Sequence, residues 1–392
     1  MKVVYITNAR LPTEKAHGIQ IIRMCEAFSK LGFDVNVIHP WRYQSNKEHR
    51  YNVSDYYNLK YQVSISRILF FDSYLLRRFL PGFLFRTFSF INSILWGVLS
   101  LIIAKIKKPN FCVMRDNTPF SYWFFQKFGM KTILEFHDLP PKISLKVFKS
   151  AIESDSSLFA VTENLARDLE KALLLPFKKI NVLHDGLDLE NFKINFNKND
   201  ETLGVTYCGS LLPDKGIDTL LQASALLPDI KFTIIGGYPS EIESYRRKWR
   251  KFNLDNVDFW GFKNPKFIPK YLLMSNLLII PSTAKTIKSS LYTSAMKLFE
   301  YLGAGKAIIA SDIPSIREVL IHHETAYLVK PDDPQELAKA IDIVLKDNNL
   351  RTLLEENAKN LSLKYSWIER ATEMLEKSEI STKKLNYERK IE

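Results

Sequence analysis

A chain of 392 residues with 46% hydrophobic and 25% charged residues is too apolar for disorder and long enough for two domains, each with its own core. Its three cysteines, Cys25, Cys112 and Cys208, lie far apart, which excludes a disulfide framework or zinc-ligand spacing and points to the reducing cytoplasm. Residues 1–150 hold 22 Lys and Arg against nine Asp and Glu, a balance of +13 that accounts for the whole net charge of +12 and implies an anionic surface or ligand; no nucleic-acid recognition motif accompanies it.

The segment VVYI at 3–6 reads as a strand rather than as a leader peptide. A polar loop over 8–18 follows. A helical pattern then starts near Ile19, with Ile21, Cys25, Phe28 and Leu31 at helical spacing, stops at Gly32, and gives way to a strand over 35–38. This is a β-loop-α-β unit, the opening of a doubly wound sheet. Residues 87–104 hold no charge and are flanked by Arg77, Arg78 and Arg86 before and by Lys105, Lys107 and Lys108 after. Eighteen such residues reach the lower limit for a membrane span. Thr87, Ser89, Asn92, Ser93, Gly97 and Ser100 dilute them, which favours a buried or surface-dipping helix and leaves a span as the alternative.

Strands over 111–114, 132–136, 159–162 and 180–183 continue the alternation. Functional residues in open α/β sheets gather just beyond strand ends. His137, directly after the strand over 132–136, is therefore either a ligand-facing group or a capping histidine. Residues 192–203 are polar and aperiodic, as a linker is. A second α/β series then begins, with strands over 205–208, 232–237, 257–260, 277–280 and 307–310 and a helix from Ile217. Two doubly wound domains in series give a cleft that encloses a small ligand.

Residues 290–316, SLYTSAMKLFEYLGAGKAIIASDIPSI, are the most informative stretch. Thr293 or Ser294 is expected to cap a helix over 295–302, with Gly303 and Gly305 ending it before the strand at 307–310. A capped helix start suits a phosphate. Glu300, about two turns in, could accept hydrogen bonds from sugar hydroxyls; in an ordinary crossover it would be a solvated helix residue. The loop YCGSLLPDKG adds Gly209, which permits close backbone approach, and Lys215, a mobile ammonium before a helix.

These segments resemble the family 4 (group 1) retaining glycosyltransferases of the GT-B type. Their E-x7-E signature is met by Glu300 as the second acid, with Tyr292 in place of the first. EFHDLPP, with His137, resembles the segment that carries a histidine beside the donor sugar. HDGLD, with His184 and Asp185 as departures, resembles the interdomain segment. Gly18 in KAHGIQ matches the glycine loop facing the diphosphate. Lys215 matches the loop lysine, while Ser210 stands at the family's arginine, and YSWIERATEML around Trp367 resembles the final helix.

The resemblance implies an α/β GT-B architecture, two doubly wound Rossmann-like domains facing a central cleft. Residues 1–191 would form the acceptor-side domain, 192–203 the linker and 204–365 the nucleotide-sugar-binding domain. Residues 366–392 would supply a helix packing back on the first domain and a tail frayed from Ser378. It implies catalytic roles for His137, Lys215 and Glu300, and donor contacts from Gly18, Gly209, Ser210, Gly236, Tyr292, Ser294, Ala295, Met296 and Lys297 as well. It implies retention of configuration with no metal and no cofactor, the nucleoside-diphosphate sugar being substrate. The implied partners are that donor, a glycan or lipid-linked acceptor of cell-surface polysaccharide synthesis, and an anionic membrane surface on whose inner face the protein would sit peripherally. A nucleotide-sugar epimerase or phosphorylase on the same architecture, or a non-catalytic membrane-associated relic marked by Tyr292 and Ser210, are the rival readings.

Overall fold

The computed structural model describes residues 1–13, 15–42, 52–70, 79–116, 118–194, 202–250, 252 and 254–380. Arg77, Arg78, most of the expected linker and the last twelve residues lie outside that set. The chain divides into two units: Met1–Leu183 together with the segment from Trp367 onward, and His184–Ser366.

Among the described residues, the first unit has seven parallel strands: β1 (Lys2–Ile6), β2 (Asp34–Pro40), β3 (Ser64–Ile68), β4 (Phe111–Arg115), β5 (Thr132–Phe136), β6 (Ser157–Ala160) and β7 (Asn181–Val182). Their order is β3-β2-β1-β4-β5-β6-β7. The central strands β1, β4 and β5 are almost wholly buried, which is why they read as continuous apolar runs. The sequence signal missed β3, because SISRI mixes exposed and half-buried positions on a sheet edge. Val161 and Thr162 lie beyond β6; Thr162 instead caps the helix Glu163–Leu173, its side chain accepting from the Leu165 N–H.

The first helix, Ala16–Lys30, begins three residues before the expected start, so Gly18 sits in its first turn and not in a loop. A Cβ there would come within 2.3 Å of Thr13 Cγ2 and 2.7 Å of the Tyr57 hydroxyl. Packing against Thr13 and Tyr57 explains this glycine. The final helix, Trp367–Lys377, packs on Ala16–Lys30. Ser378 and Ile380 beyond it are buried, and the Ile380 N–H donates to the Leu375 carbonyl, so fraying does not begin at Ser378.

The second unit has, among the described residues, six parallel strands: β8 (Val205–Cys208), β9 (Phe232–Ile235), β10 (Val257–Gly261), β11 (Leu277–Ile280), β12 (Ile308–Ser311) and β13 (Tyr327–Val329). Their order, β10-β9-β8-β11-β12-β13, is that of a doubly wound sheet with its switch point between β8 and β11. The three-residue edge strand β13 was too short to announce itself.

The division falls at Leu183/His184 and not over 192–203. Leu187 is buried in the second core, with Leu189 and Phe192 packed against it, and Leu187 bridges to Ser366. The polar residues that suggested a linker therefore follow a segment already anchored in the second unit. Gly303 is part of that anchorage: it lies inside the helix Met296–Ala304, and a Cβ on it would approach Leu187 Cδ1 to 2.3 Å. Gly305, left-handed at φ 58°, is the residue that ends the helix.

Candidate functional site

The second unit places its functional side chains at the C-terminal end of β8, on the switch point. Tyr207 and Cys208 are interior strand residues, and Gly209 follows with a backbone conformation (φ 153°) that favours glycine. The loop beyond it ends in a 3-10 turn, Pro213–Lys215, and Gly216 then starts the helix Ile217–Ala225. A Cβ on Gly216 would lie 1.6 Å from the Pro281 carbonyl oxygen, just after β11. The two loops of the switch point are thereby locked together, and the Ser289 hydroxyl donates to the Asp214 carbonyl across them.

Lys215 is half-buried and pairs with Asp214 at 2.9 Å. Lys297, the second residue of the helix Met296–Ala304, extends its ammonium over the Tyr207 ring, 4.0 Å from the centroid, and donates to the Tyr207 hydroxyl at 2.7 Å. That hydroxyl in turn donates to the Ser210 carbonyl at 2.7 Å. Burial, reinforced by the nearby Lys215 ammonium, pulls the Lys297 pKa down to about 7. The open side of Gly209 is taken by this lysine: a Cβ there would meet Lys297 Nζ at 2.8 Å. Glu300, half-buried, is close enough for its charge to act on both Lys297 and Cys208. Burial, then Glu300, pushes the Cys208 thiol up to about 12, which keeps it protonated and inert.

The helix start differs from the expected one. Met296 is the first helical residue, so Glu300 lies little more than one turn in. Neither Thr293 nor Ser294 caps it; the Thr293 hydroxyl donates to the Lys288 carbonyl, and Ser294 Oγ accepts the Asp185 N–H at 2.9 Å. A π-helical turn, Lys288–Tyr292, diverts the chain before the helix and buries Tyr292. Gly236 packs against the Gly209 carbonyl, which a Cβ would approach to 1.9 Å. Gly209, Ser210, Lys215, Gly236, Lys297 and Glu300 are thus gathered at one end of one sheet. Tyr207, missed in the sequence, looked like an ordinary strand residue. A depression of about 250 Å³ lined by Thr202, Gly204, Asp229, Lys231 and Asn276 lies at the opposite, N-terminal strand ends and has no part in this group.

In the first unit His137 follows β5, where the sequence placed it, with its N–H donating to Asp116. Its ring contacts Glu135, the centre of a buried network that sequence reading did not find. Glu135 also accepts from Gln20 at 2.9 Å and from Arg370 at 3.0 Å, while Arg115 donates to Gln20 at 2.8 Å. Burial alone would raise the Glu135 pKa, but the Arg370 guanidinium and His137 outweigh it and hold the carboxyl well below the usual carboxylate range. Arg370 also donates to the Leu183 carbonyl, joining the final helix to the end of the first sheet.

Residues 188–361 match the family model described as Glycosyl transferases group 1. An uncharacterised glycosyltransferase of Methanocaldococcus jannaschii is 25% identical over 222 residues, 56% of this chain and 58% of that protein. The lipopolysaccharide 1,2-N-acetylglucosaminetransferase of Salmonella typhimurium is 25% identical over 236 residues, 55% of this chain and 60% of that protein. The chain thus spans somewhat over half the length of these relatives. In fold it is similar to HepE of Anabaena, solved with UDP and glucose, at a TM-score of 0.71 and 15% identity over 96% of this chain and 98% of that one.

Proposed function

We propose that this chain, whose second unit carries the group 1 glycosyltransferase domain, is a retaining glycosyltransferase that moves a sugar from a nucleoside-diphosphate sugar to an acceptor hydroxyl. The observation that carries this reading is the meeting of Lys215, from the loop after β8, with Glu300, from the helix Met296–Ala304, at the switch point of the second sheet. As the bond from the sugar C1 to the diphosphate breaks, charge builds on the diphosphate, and Lys215 neutralises it. Glu300 binds the ribose hydroxyls. The acceptor oxygen bonds to C1 on the face the diphosphate leaves, and the acceptor proton passes to a diphosphate oxygen. His137 is proposed to touch the sugar. With Lys215 supplying the positive charge, no metal is invoked, and chelation should leave the rate unchanged. In a thermal-shift series one nucleoside diphosphate should raise the melting temperature above the others. Turnover of the sugar donor without acceptor, beyond slow hydrolysis, would replace this reading with an epimerase.

For the acceptor we propose a lipid-linked glycan of cell-surface polysaccharide synthesis, met at the inner face of a membrane. The helix Gly82–Lys107 supports this. Its inner side, Asn92, Trp96, Gly97, Ser100, Leu101 and Ala104, is buried in the unit, whereas Phe83, Phe90, Ile91, Leu95, Ile102 and Ile106 are exposed. The helix is long and apolar enough to cross a membrane, but its packed side makes it part of the fold. An apolar outer face ending in Lys105, Lys107 and Lys108 fits a surface helix among anionic headgroups. Liposome sedimentation should show binding that needs anionic lipid and weakens with salt. Equal recovery in the supernatant with neutral and anionic vesicles at low salt would leave a transferase with a soluble acceptor.

A further inference from the structure

Lys297 occupies a place where a cation is poorly served by the protein itself. It sits in the first turn of a nine-residue helix that has no acidic residue there, so the helix dipole opposes its charge. Its direct partners are neutral, the Tyr207 ring and hydroxyl. Lys215 lies close enough to repel it, and Asp214, the nearest carboxylate of the loop, is already paired with Lys215. Ser210, exposed beside Gly209, brings no charge. Two cations and a helix start directed to one place, with Asp214 already engaged by Lys215, are electrostatically complete only when an anion joins them.

We propose that Lys297 is the second cation of the diphosphate site, supplying from the helix the charge that Ser210 leaves out of the β8 loop. This rests on the nucleotide-sugar reading and adds to it a linked proton. The groups facing Lys297 are Tyr207 and Cys208 of β8, Asp214 and Lys215 of the loop after it, and Glu300 of its own helix. Burial holds Tyr207, Cys208 and Tyr301 protonated at neutral pH. Lys297, brought down to about 7, is largely neutral in the free protein above that pH and takes up a proton when the diphosphate binds. The Tyr207 hydroxyl keeps the free amine in place, and Gly209 leaves it room.

The experiment is calorimetric titration of the full chain with UDP, ADP, GDP, CDP and dTDP, followed by the tightest of them against variants. Lys297→Met should weaken it at least about tenfold, Lys297→Arg should bind about as well as wild type, and adding Ser210→Arg to Lys297→Met should recover most of the loss. Relative to Lys297→Arg, wild-type affinity should fall about tenfold per unit as pH rises above about 7. A folded Lys297→Met protein that binds as tightly as wild type overturns the proposal and leaves the nucleotide-sugar reading intact. If Lys297→Met does not fold, identical pH profiles for wild type and Lys297→Arg overturn it instead. Failure of the wild-type protein to bind any of the five diphosphates overturns the nucleotide-sugar reading itself.

Discussion

Glu135 in the first unit and Lys297 in the second are both ionisable groups enclosed at the C-terminal ends of parallel strands, and they are treated in opposite ways. Glu135 is saturated: Arg370, His137 and Gln20 each bond to its oxygens, and its carboxylate is stabilised. Lys297 has a neutral hydroxyl and ring for partners and a like charge nearby, and its ammonium is destabilised. A buried charge whose own protein completes it holds structure together, whereas one left incomplete awaits a ligand. The contrast separates a clamp, tying the final helix to the first sheet, from a binding group.

The largest expected effect breaks the clamp. Arg370→Met leaves a buried carboxylate without its guanidinium, which costs about 3–5 kcal/mol. Amide hydrogen exchange should accelerate in β4, β5 and β6 and stay unchanged in β8, β11 and β12. Equal acceleration in both units would erase the distinction. The pH dependence has a fixed sign: because the folded Glu135 pKa lies below its unfolded value, its stabilisation is complete above about pH 4.3 and is lost as pH falls toward the folded value. Glu135→Gln should flatten that acid limb in the first unit.

The opposite signature is expected for Lys215→Ala. Its partner Asp214 is partly exposed, so stability should change little, while sugar transfer falls about tenfold to a thousandfold on losing a charge partner of the leaving diphosphate. Wild-type turnover by a well-folded variant would remove Lys215 from the reaction.

How much of this could be read in the sequence follows from the same physics. Central strands bury both faces and advertise themselves as apolar runs, so β1, β4, β5, β8, β11 and β12 were legible. The half-exposed edge strand β3 and the three-residue edge strand β13 were not. Local motifs located Lys215 and Glu300, since loop and helix positions are set within a few residues. The Glu135 network was invisible because Gln20, Arg115, Glu135 and Arg370 come together only through tertiary folding. Gly18 and Gly209 were legible as special positions, but the side chains that crowd them, Thr13 and Tyr57 at one and Lys297 at the other, were not. The expected caps failed because the π-helical turn at Lys288–Tyr292 shifts the helix start past Thr293 and Ser294, which then bond elsewhere.

The smallest expected effect sharpens the comparison within the second unit. If Glu300 accepts hydrogen bonds from ribose, Glu300→Gln should weaken nucleoside diphosphate binding by about 1–3 kcal/mol, the range for charge-assisted bonds. The carboxylate also raises the Lys297 pKa, so the same substitution could act through the lysine instead. A 2′,3′-dideoxy nucleoside diphosphate distinguishes the two routes, because it keeps the diphosphate and lacks the hydroxyls. Binding of the dideoxy ligand should be equal in wild type and Glu300→Gln if the acid reads ribose, and weaker in the variant if the acid serves Lys297. Should the variant discriminate against the dideoxy ligand as strongly as wild type does, Glu300 contacts neither hydroxyl, and it takes its place beside Glu135 as a group that completes the protein's own charges.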